Sequence, residues 1–488
     1  MTRFPYYIFL LPVFFVFHNS VYHRLAIDIK TQLLISGYYC IAAGLLFLIS
    51  FLLLKDIKKA GLITLCILAI NFFFPEVHLF LRTYPLAFFN RYVFIIPFLA
   101  ALIIFVFIKL RKINSSLKKV TVYLNVLLLI FVLAECVTLL VNTIRRPESK
   151  VKIADKVHFT PCDTCAKPDI YLLLFDEYSS SLSLHNDYNY DNRFLDTFLI
   201  KKGFRILPES KSNYNITNFS MASIANMSYL NISKPEAVTS IDYSDAADLI
   251  QSGYLFTCMK QMGYKIENYS IFNIGDEKAP LRYLFTETPE EMVTNKTFVN
   301  SFLRDAGWNF ANKKNLYLPL KKKYAEGFDN IQQAINKVKA AATSKSAQPR
   351  FIYGHFLLPH APFFMNKTRP YTTEQLAETH SSSVSAYLNY VFYTNIVLRD
   401  LVDFIQTSTN GKSVIIVMGD HGFRPPVQTA FQEKYFANQN AVYFPGKNYS
   451  LLYDSISGVN EFRAILNTLY RQNIPLLQDK QYYLTDRK

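Results

Sequence analysis

The first third of the chain places the strongest limit on what it can fold into. Five apolar stretches, at residues 4–17, 31–54, 61–81, 92–110 and 120–144, alternate there with short basic loops. A helix needs about 20 apolar residues to cross a bilayer core, and backbone polar groups inside that core must be paired internally, so a helical bundle is the form open to such a sequence. The first stretch is short, but no small-x-small cleavage pattern follows residues 16–20, and it reads as a retained helix rather than a removed signal. The third is interrupted by Pro75 and Glu76, and its loss would invert the topology.

Basic residues stay on the cytoplasmic side during insertion. One set of loops holds Arg3, Lys55, Lys58, Lys59, Lys109, Arg111, Lys112, Lys118 and Lys119; the other holds Arg24, Lys30, Arg82 and Arg91. Five spans then put the amino terminus inside and everything after residue 144 outside, with Arg145 and Arg146 leaning the other way. Glu135, within the fifth apolar run, reads as a helix-to-helix contact or a position facing the outer domain.

Beyond residue 145 the composition changes, so the overall 51% hydrophobic content averages two different materials. The formal charge of +15 is scattered through loops, with no basic run interleaved with stacking aromatics, and this argues against nucleic-acid binding. Of six cysteines, Cys40, Cys66 and Cys136 fall in spans as packing residues, and Cys258 stands alone. Cys162-x-x-Cys165 finds no second Cys or His cluster to complete a zinc site, which favours a local disulfide. The expected division is a transmembrane helical domain at 1–145, a linker at 146–167 and an extracytoplasmic catalytic domain at 168–488.

In that last part strand and helix patterns alternate. Residues 169–175 are almost continuously apolar, as in a strand buried on both faces. A helix at 192–202 ends at Gly203. A strand at 350–358, a helix at 384–405, strands at 413–418 and 441–444 and a helix at 459–470 follow. This order predicts an α/β domain with a mostly parallel sheet flanked by helices, in which chemistry collects at the carboxyl ends of strands.

Four segments carry chemistry. Phe175-Asp176-Glu177-Tyr178 places two acids at a strand end, where hard oxygens can hold a cation or simply cap a turn. Gly419-Asp420-His421-Gly422 sets a carboxylate beside an imidazole on a tight turn, with glycines that permit close backbone approach, and is either a strand-end site or an ordinary surface turn. Thr217 opens a short helix toward Tyr229 and is either a nucleophile activated by a metal or a helix cap. His360, between Pro359 and Pro362, sits in an extended loop after a strand, suited to contacting a phosphoryl or sulfuryl oxygen or protonating a leaving group, or else serves as a structural histidine.

Taken in order, these segments resemble the sulfatase-like branch of the alkaline phosphatase superfamily, which includes lipoteichoic acid synthases, phosphoethanolamine transferases and phosphonate monoester hydrolases. The resemblance runs over roughly residues 168–483 and includes the tail Ser455–Arg463. It implies an alkaline phosphatase-like fold. It implies Asp176, Asp420 and His421 as ligands of one divalent metal, with manganese, magnesium or zinc favoured over calcium, and Thr217 within reach of that metal. Thr217, in a Thr-x-x-Ser-x-x-Ser pattern with Ser220 and Ser223, falls on the nucleophile, and His360 on the substrate-contacting histidine. Glu177, His355 and His185 are candidates for additional ligands. Threonine cannot yield the formylglycine that sulfatases make from Cys or Ser, so the resemblance implies phosphoryl transfer or phosphodiester hydrolysis. Sulfate-ester hydrolysis and a non-catalytic anion-binding module remain the alternatives. The implied partners are membrane lipid and a phospholipid or envelope-glycan substrate, at a bacterial inner membrane. The stretch 233–346 carries no assignable chemistry.

Overall fold

The computed structural model describes residues 4–22, 27–83, 91–144, 150–283, 288–303, 305, 318–379, 381–424 and 431–486. Arg3, Arg24, Arg145 and Arg146, used in the charge count, lie outside them. The chain divides into two compact units, Met1–Glu148 with Glu287–Leu316, and Ser149–Thr286 with Tyr317–Lys488.

The first unit is helical: α1 (Tyr7–Tyr22), α2 (Ile29–Leu54), α3 (Ile57–Thr83), α4 (Tyr92–Lys112) and α5 (Lys118–Ile144). By length and composition α2 to α5 can each cross a membrane, and α1 is a shorter apolar helix. The third helix runs unbroken through Pro75. The short helix is the buried one. Tyr7, Ile8, Leu11, Phe15 and Val16 pack with Ile35, Ala43, Leu68, Phe72 and Leu128 of its neighbours. The other helices expose Leu45, Leu52, Phe98, Ile104, Leu133 and Leu140 outward. So much exposed apolar surface is unfavourable in water and is what a bilayer requires.

Polar contacts tie α5 to α1. Asn125 accepts the Tyr7 N–H at 2.8 Å and donates to the Phe4 carbonyl at 2.9 Å. Glu135 meets His18 Nδ1 at 2.8 Å, which makes it a helix-to-helix contact. The inserted stretch joins the same unit. The Phe298 ring stands edge-on to Phe74 at 4.7 Å, and the Val299 N–H donates to Asn71 Oδ1 at 3.3 Å.

The second unit is built on a six-stranded sheet whose strands, numbered along the chain, are β1 (Ile170–Phe175), β2 (Arg205–Ile206), β3 (Lys265–Tyr269), β4 (Arg350–Phe356), β5 (Val414–Gly419) and β6 (Asn440–Tyr443). Their spatial order is β2-β6-β5-β1-β4-β3. The four strands from β5 to β3 are parallel, and β6 runs antiparallel to both its neighbours. The apolar run of β1 is explained by its central place. Ile170, Leu172 and Leu174 enter the core on one face, and Tyr171, Leu173 and Phe175 enter the core on the other. Helices cover both faces, and the α/β architecture with a mostly parallel sheet follows. Cys162 and Cys165 are joined as a disulfide, and Cys258 is buried and free.

Candidate active site

The register of the parallel strands assembles the site. Phe175 at the end of β1 lies opposite Gly419 at the end of β5, so the next residues, Asp176 and Asp420, leave the sheet side by side. The backbone is crowded there. A Cβ on Gly419 would stand 2.5 Å from the Tyr178 carbonyl oxygen, and one on Gly422 would stand 2.2 Å from that of Lys434. Close packing, rather than a left-handed conformation, is therefore what calls for glycine on both sides of Asp420-His421. Glu177 is the residue that adopts positive φ, at 63°. Its N–H donates to Asp420 Oδ1 at 2.8 Å, and the His421 N–H donates to the same oxygen at 2.9 Å.

Helix α8 (Thr217–Asn226) brings the hydroxyl, where α6 (Ser181–Tyr188) and α7 (Arg193–Lys201) precede it among the described helices of this unit. Ile216 occupies its N-cap, and Thr217 is the first helical residue. The Thr217 hydroxyl lies 3.2 Å from His421 Nε2. Ser220 Oγ donates to the Asp420 carbonyl at 2.6 Å, and Ser223 Oγ to the Ser220 carbonyl at 2.7 Å, so the Thr-x-x-Ser-x-x-Ser pattern fastens the helix start to the Asp-His turn.

Asp176, Asp420 and His421 offer ligand atoms that all lie within 4.8 Å of one another, and all three residues are buried. Two of the carboxylate oxygens, Asp176 Oδ1 and Asp420 Oδ2, are buried without a hydrogen-bond partner among the described residues. His421 Nδ1 lies 2.9 Å from the Gly422 carbonyl, which can only accept, so the proton belongs on Nδ1 and the Nε2 lone pair faces the cluster. Such buried carboxylate oxygens beside an imidazole lone pair that also faces the Thr217 hydroxyl are a donor set that fits a divalent cation.

The other sequence-predicted residues fall into three groups. His355 is fully buried, with Nε2 3.4 Å from Asp176 Oδ2 and Nδ1 3.1 Å from the Tyr353 hydroxyl, so it braces Asp176. Glu177 is buried, and its Oε1 accepts the Arg424 N–H at 3.1 Å. His185 is exposed on α6 and is not brought to the cluster. Burial alone would raise the Asp176 carboxyl, but the His360, His355 and His421 imidazoles outweigh it and hold it well below the usual range. Burial pushes Glu177 up. For His360 burial works against the charged form, yet Asp176 and Glu177 prevail and raise its imidazole.

A cavity of about 620 Å³ opens in front of Thr217 and His360. Its wall includes Phe272, Arg282, Tyr283 and Arg424, residues the sequence analysis did not single out. The Tyr283 hydroxyl donates to Asp176 Oδ2, and its ring lies 5.4 Å from that of His360. Arg424 follows Asp-His-Gly by two positions, a proximity that was readable. Tyr283 comes from the stretch without recognisable pattern, and only folding reveals it.

Several solved structures are similar to this chain. The C-terminal periplasmic domain of EcEptC from Escherichia coli aligns at 14% identity over 67% of this chain and 92% of that one, with a TM-score of 0.38. The C-terminal periplasmic domain of phosphoethanolamine transferase EptC from Campylobacter jejuni aligns at 12% identity over 65% and 94%, with a TM-score of 0.36. The soluble domain of lipooligosaccharide phosphoethanolamine transferase A from Neisseria meningitidis aligns at 12% identity over 68% and 94%, with a TM-score of 0.37. Comparison with curated protein sequences returns no match. The Sulfatase family model matches residues 227–460, a span that holds His360 and the Asp420-His421 turn and begins after Asp176 and Thr217. The chain thus carries a sulfatase-family domain over residues 227–460.

Proposed function

We propose that this chain is a membrane-bound, metal-dependent phosphotransferase or phosphodiesterase-type hydrolase with Thr217 as its nucleophile. The observation that carries the reading is the convergence of three distant segments. Asp176, Asp420 and His421 gather their ligand atoms within 4.8 Å, and the Thr217 hydroxyl stands 3.2 Å from His421 Nε2. These three residues would hold one divalent metal, for which manganese, magnesium or zinc suits the mixed oxygen and nitrogen donors better than calcium. When bound, such an ion supplies Lewis-acid stabilisation of negative charge and favours an ionised hydroxyl.

In the first step Thr217 Oγ1 bonds to phosphorus as the bond to the leaving oxygen breaks. His360, whose imidazole is raised by Asp176 and Glu177, contacts the transferring group and hands a proton to the departing oxygen. Water or an acceptor hydroxyl, giving its proton to His360, then attacks phosphorus as the P–Oγ1 bond breaks and frees Thr217, and the same covalent species serves hydrolysis and transfer. Threonine at this position favours phosphoryl over sulfuryl chemistry.

The apolar helices anchor the chain in a membrane. We assign it to a bacterial inner membrane as a multi-pass protein, with 168–488 as the catalytic domain on the outer side, after a linker at 146–167 and a membrane domain at 1–145. The loop charges support that orientation. A site borne on a membrane anchor favours a phospholipid head group or an envelope glycan as substrate. Replacing Thr217 with Ala lowers turnover of a phosphodiester by about 10³-fold or more while the bound metal stays near its wild-type level. Mass analysis of the wild-type chain after exposure to membrane lipids finds a phospho-linked group on Thr217; full activity in the Ala variant would remove the mechanism.

A further inference from the structure

Residues 288–303 fall inside the stretch proposed as catalytic, yet they pack with the apolar helices. Their contacts lie on the first half of α2, the last half of α3 and the start of α4, which the alternating direction of successive spans brings to one side. Thr297 shares a side-chain hydrogen bond with Tyr39 of α2. Residues 298–303 are helical, so side chains four apart share a face. One face packs inward: Phe298 stands edge-on to Phe74 of α3 at 4.7 Å, and Phe302 to Tyr92 of α4 at 5.3 Å. The Val299 N–H donates to Asn71 Oδ1 at 3.3 Å, and the Tyr92 hydroxyl donates to Asp305 Oδ2 at 2.8 Å. The neighbouring face carries Val299 and Leu303, 52% and 61% exposed. No charged residue stands between Phe298 and Leu303.

The level of these contacts in a bilayer follows from α3. Lys59 and Glu76 bracket an uncharged run of about 25 Å at 1.5 Å per residue, close to the roughly 30 Å of a hydrocarbon core. Glu76 is exposed and marks the head-group level at the far end of that run. Phe74 and Asn71 lie two and five residues before it, so Phe298 and Val299 meet α3 about 3 to 8 Å on the acyl side of that level. An amphipathic segment lying in the interface buries its apolar face to a similar depth. Phe73 of α3 and Val93 and Ile96 of α4 are also exposed, so Val299 and Leu303 continue a surface that the same helices already turn toward lipid. We infer that residues 298–303 form an interfacial element, with Val299 and Leu303 entering the acyl region just below the head groups of a glycerophospholipid leaflet. This contact is independent of the reaction proposed above.

Tryptophan fluorescence of the full-length chain in phosphatidylcholine vesicles tests this. Trp308, the one tryptophan of the sequence, is replaced by Phe, and Val299→Trp or Leu303→Trp then places a reporter on the exposed face. The lipid is brominated near either the carbonyl end or the methyl end of its acyl chain, and Leu133→Trp, at an exposed position of α5, supplies the signal of a lipid-facing residue within a span. Bromine near the carbonyl end is expected to lower the emission of both reporters at least about twofold and to quench more than bromine near the methyl end, while aqueous iodide has little effect. Quenching by iodide with brominated lipid silent would place the face in water. Silence to both quenchers would place it against protein, such as a second copy of the chain, and stronger quenching from the methyl end would place it deep within the span. Each of these three results overturns the interfacial contact. The two reporters are separate chains, so if one fails to enter vesicles the other decides.

Discussion

Asp176 Oδ1 and Asp420 Oδ2 are both buried, and neither meets a donor among the described residues. Two ionised carboxylates in one dry cluster repel each other unless a cation lies between them. Asp420→Asn tests this. The amide oxygen can still accept from the Glu177 and His421 N–H groups, so the turn survives, while one negative charge is lost. In chelator the variant is expected to unfold at a higher temperature than the wild type. In excess Mn²⁺ the order reverses, because the wild type gains binding free energy that the variant lacks; a hundredfold excess over Kd stabilises by about 2.7 kcal/mol. A pair of melting curves that keep the same order in both conditions would remove the cation from the account. The acids and the Asp-His pair were readable as strand-end residues because their neighbours are apolar runs. That Thr217 meets His421 instead of capping its helix was not readable, since both roles use the same residue at the same helix start.

At the scale of elements, the parallel register of β1 and β5 does the positioning, and the glycines of the turn make it possible. Gly419→Ala would drive a methyl group to 2.5 Å from the Tyr178 carbonyl oxygen, a backbone atom that cannot swing aside. The expected cost is about 3 kcal/mol, seen as a lower denaturation midpoint and lost metal binding, whereas the same change at Gly263, where nothing lies within 4 Å of the added carbon, meets no clash and costs only the strain of its positive φ. A Gly419→Ala protein as stable as the wild type would show that the turn tolerates a side chain. The central strands announced themselves through uninterrupted apolar runs, and the long helix Val384–Ser408 through its periodicity. Strand β3 did not. Its sequence Lys-Ile-Glu-Asn-Tyr, at a sheet edge, has one aliphatic residue and places the polar Asn268 at a buried position, so no alternation separates it from a loop. β2, two residues long, leaves no pattern at all.

For the molecule as a whole, stability carries a pH signature from a residue far along the chain. Glu461, on the helix Gly458–Tyr470, is fully buried, and its Oε2 accepts from Asn440 Nδ2 at 2.6 Å. Burial pushes its carboxyl from 4.5 up to about 7, only partly countered by that hydrogen bond. Between those values the folded chain keeps a proton that the unfolded chain has released, so stability falls as pH rises across the window and is unaffected by this group below it. The loss is on the order of 3 kcal/mol once pH exceeds the folded value. Glu461→Gln should therefore melt higher than the wild type at pH 8 and close to it at pH 4.5; an equal difference at both would assign the effect to packing instead.

Read alone, the sequence determined the division into an apolar helical part and an α/β part, because hydrophobic run length and period depend only on neighbours along the chain. It also supplied the residue types able to bind a cation. Only the tertiary structure decided that α1, the least membrane-like of the five helices, is the buried centre of its unit, that residues 288–303 belong with those helices, and that Tyr283 and Arg424 join the cavity while His185 stays outside. These are contacts between residues far apart in sequence, set by strand register and helix packing, and no local pattern encodes them.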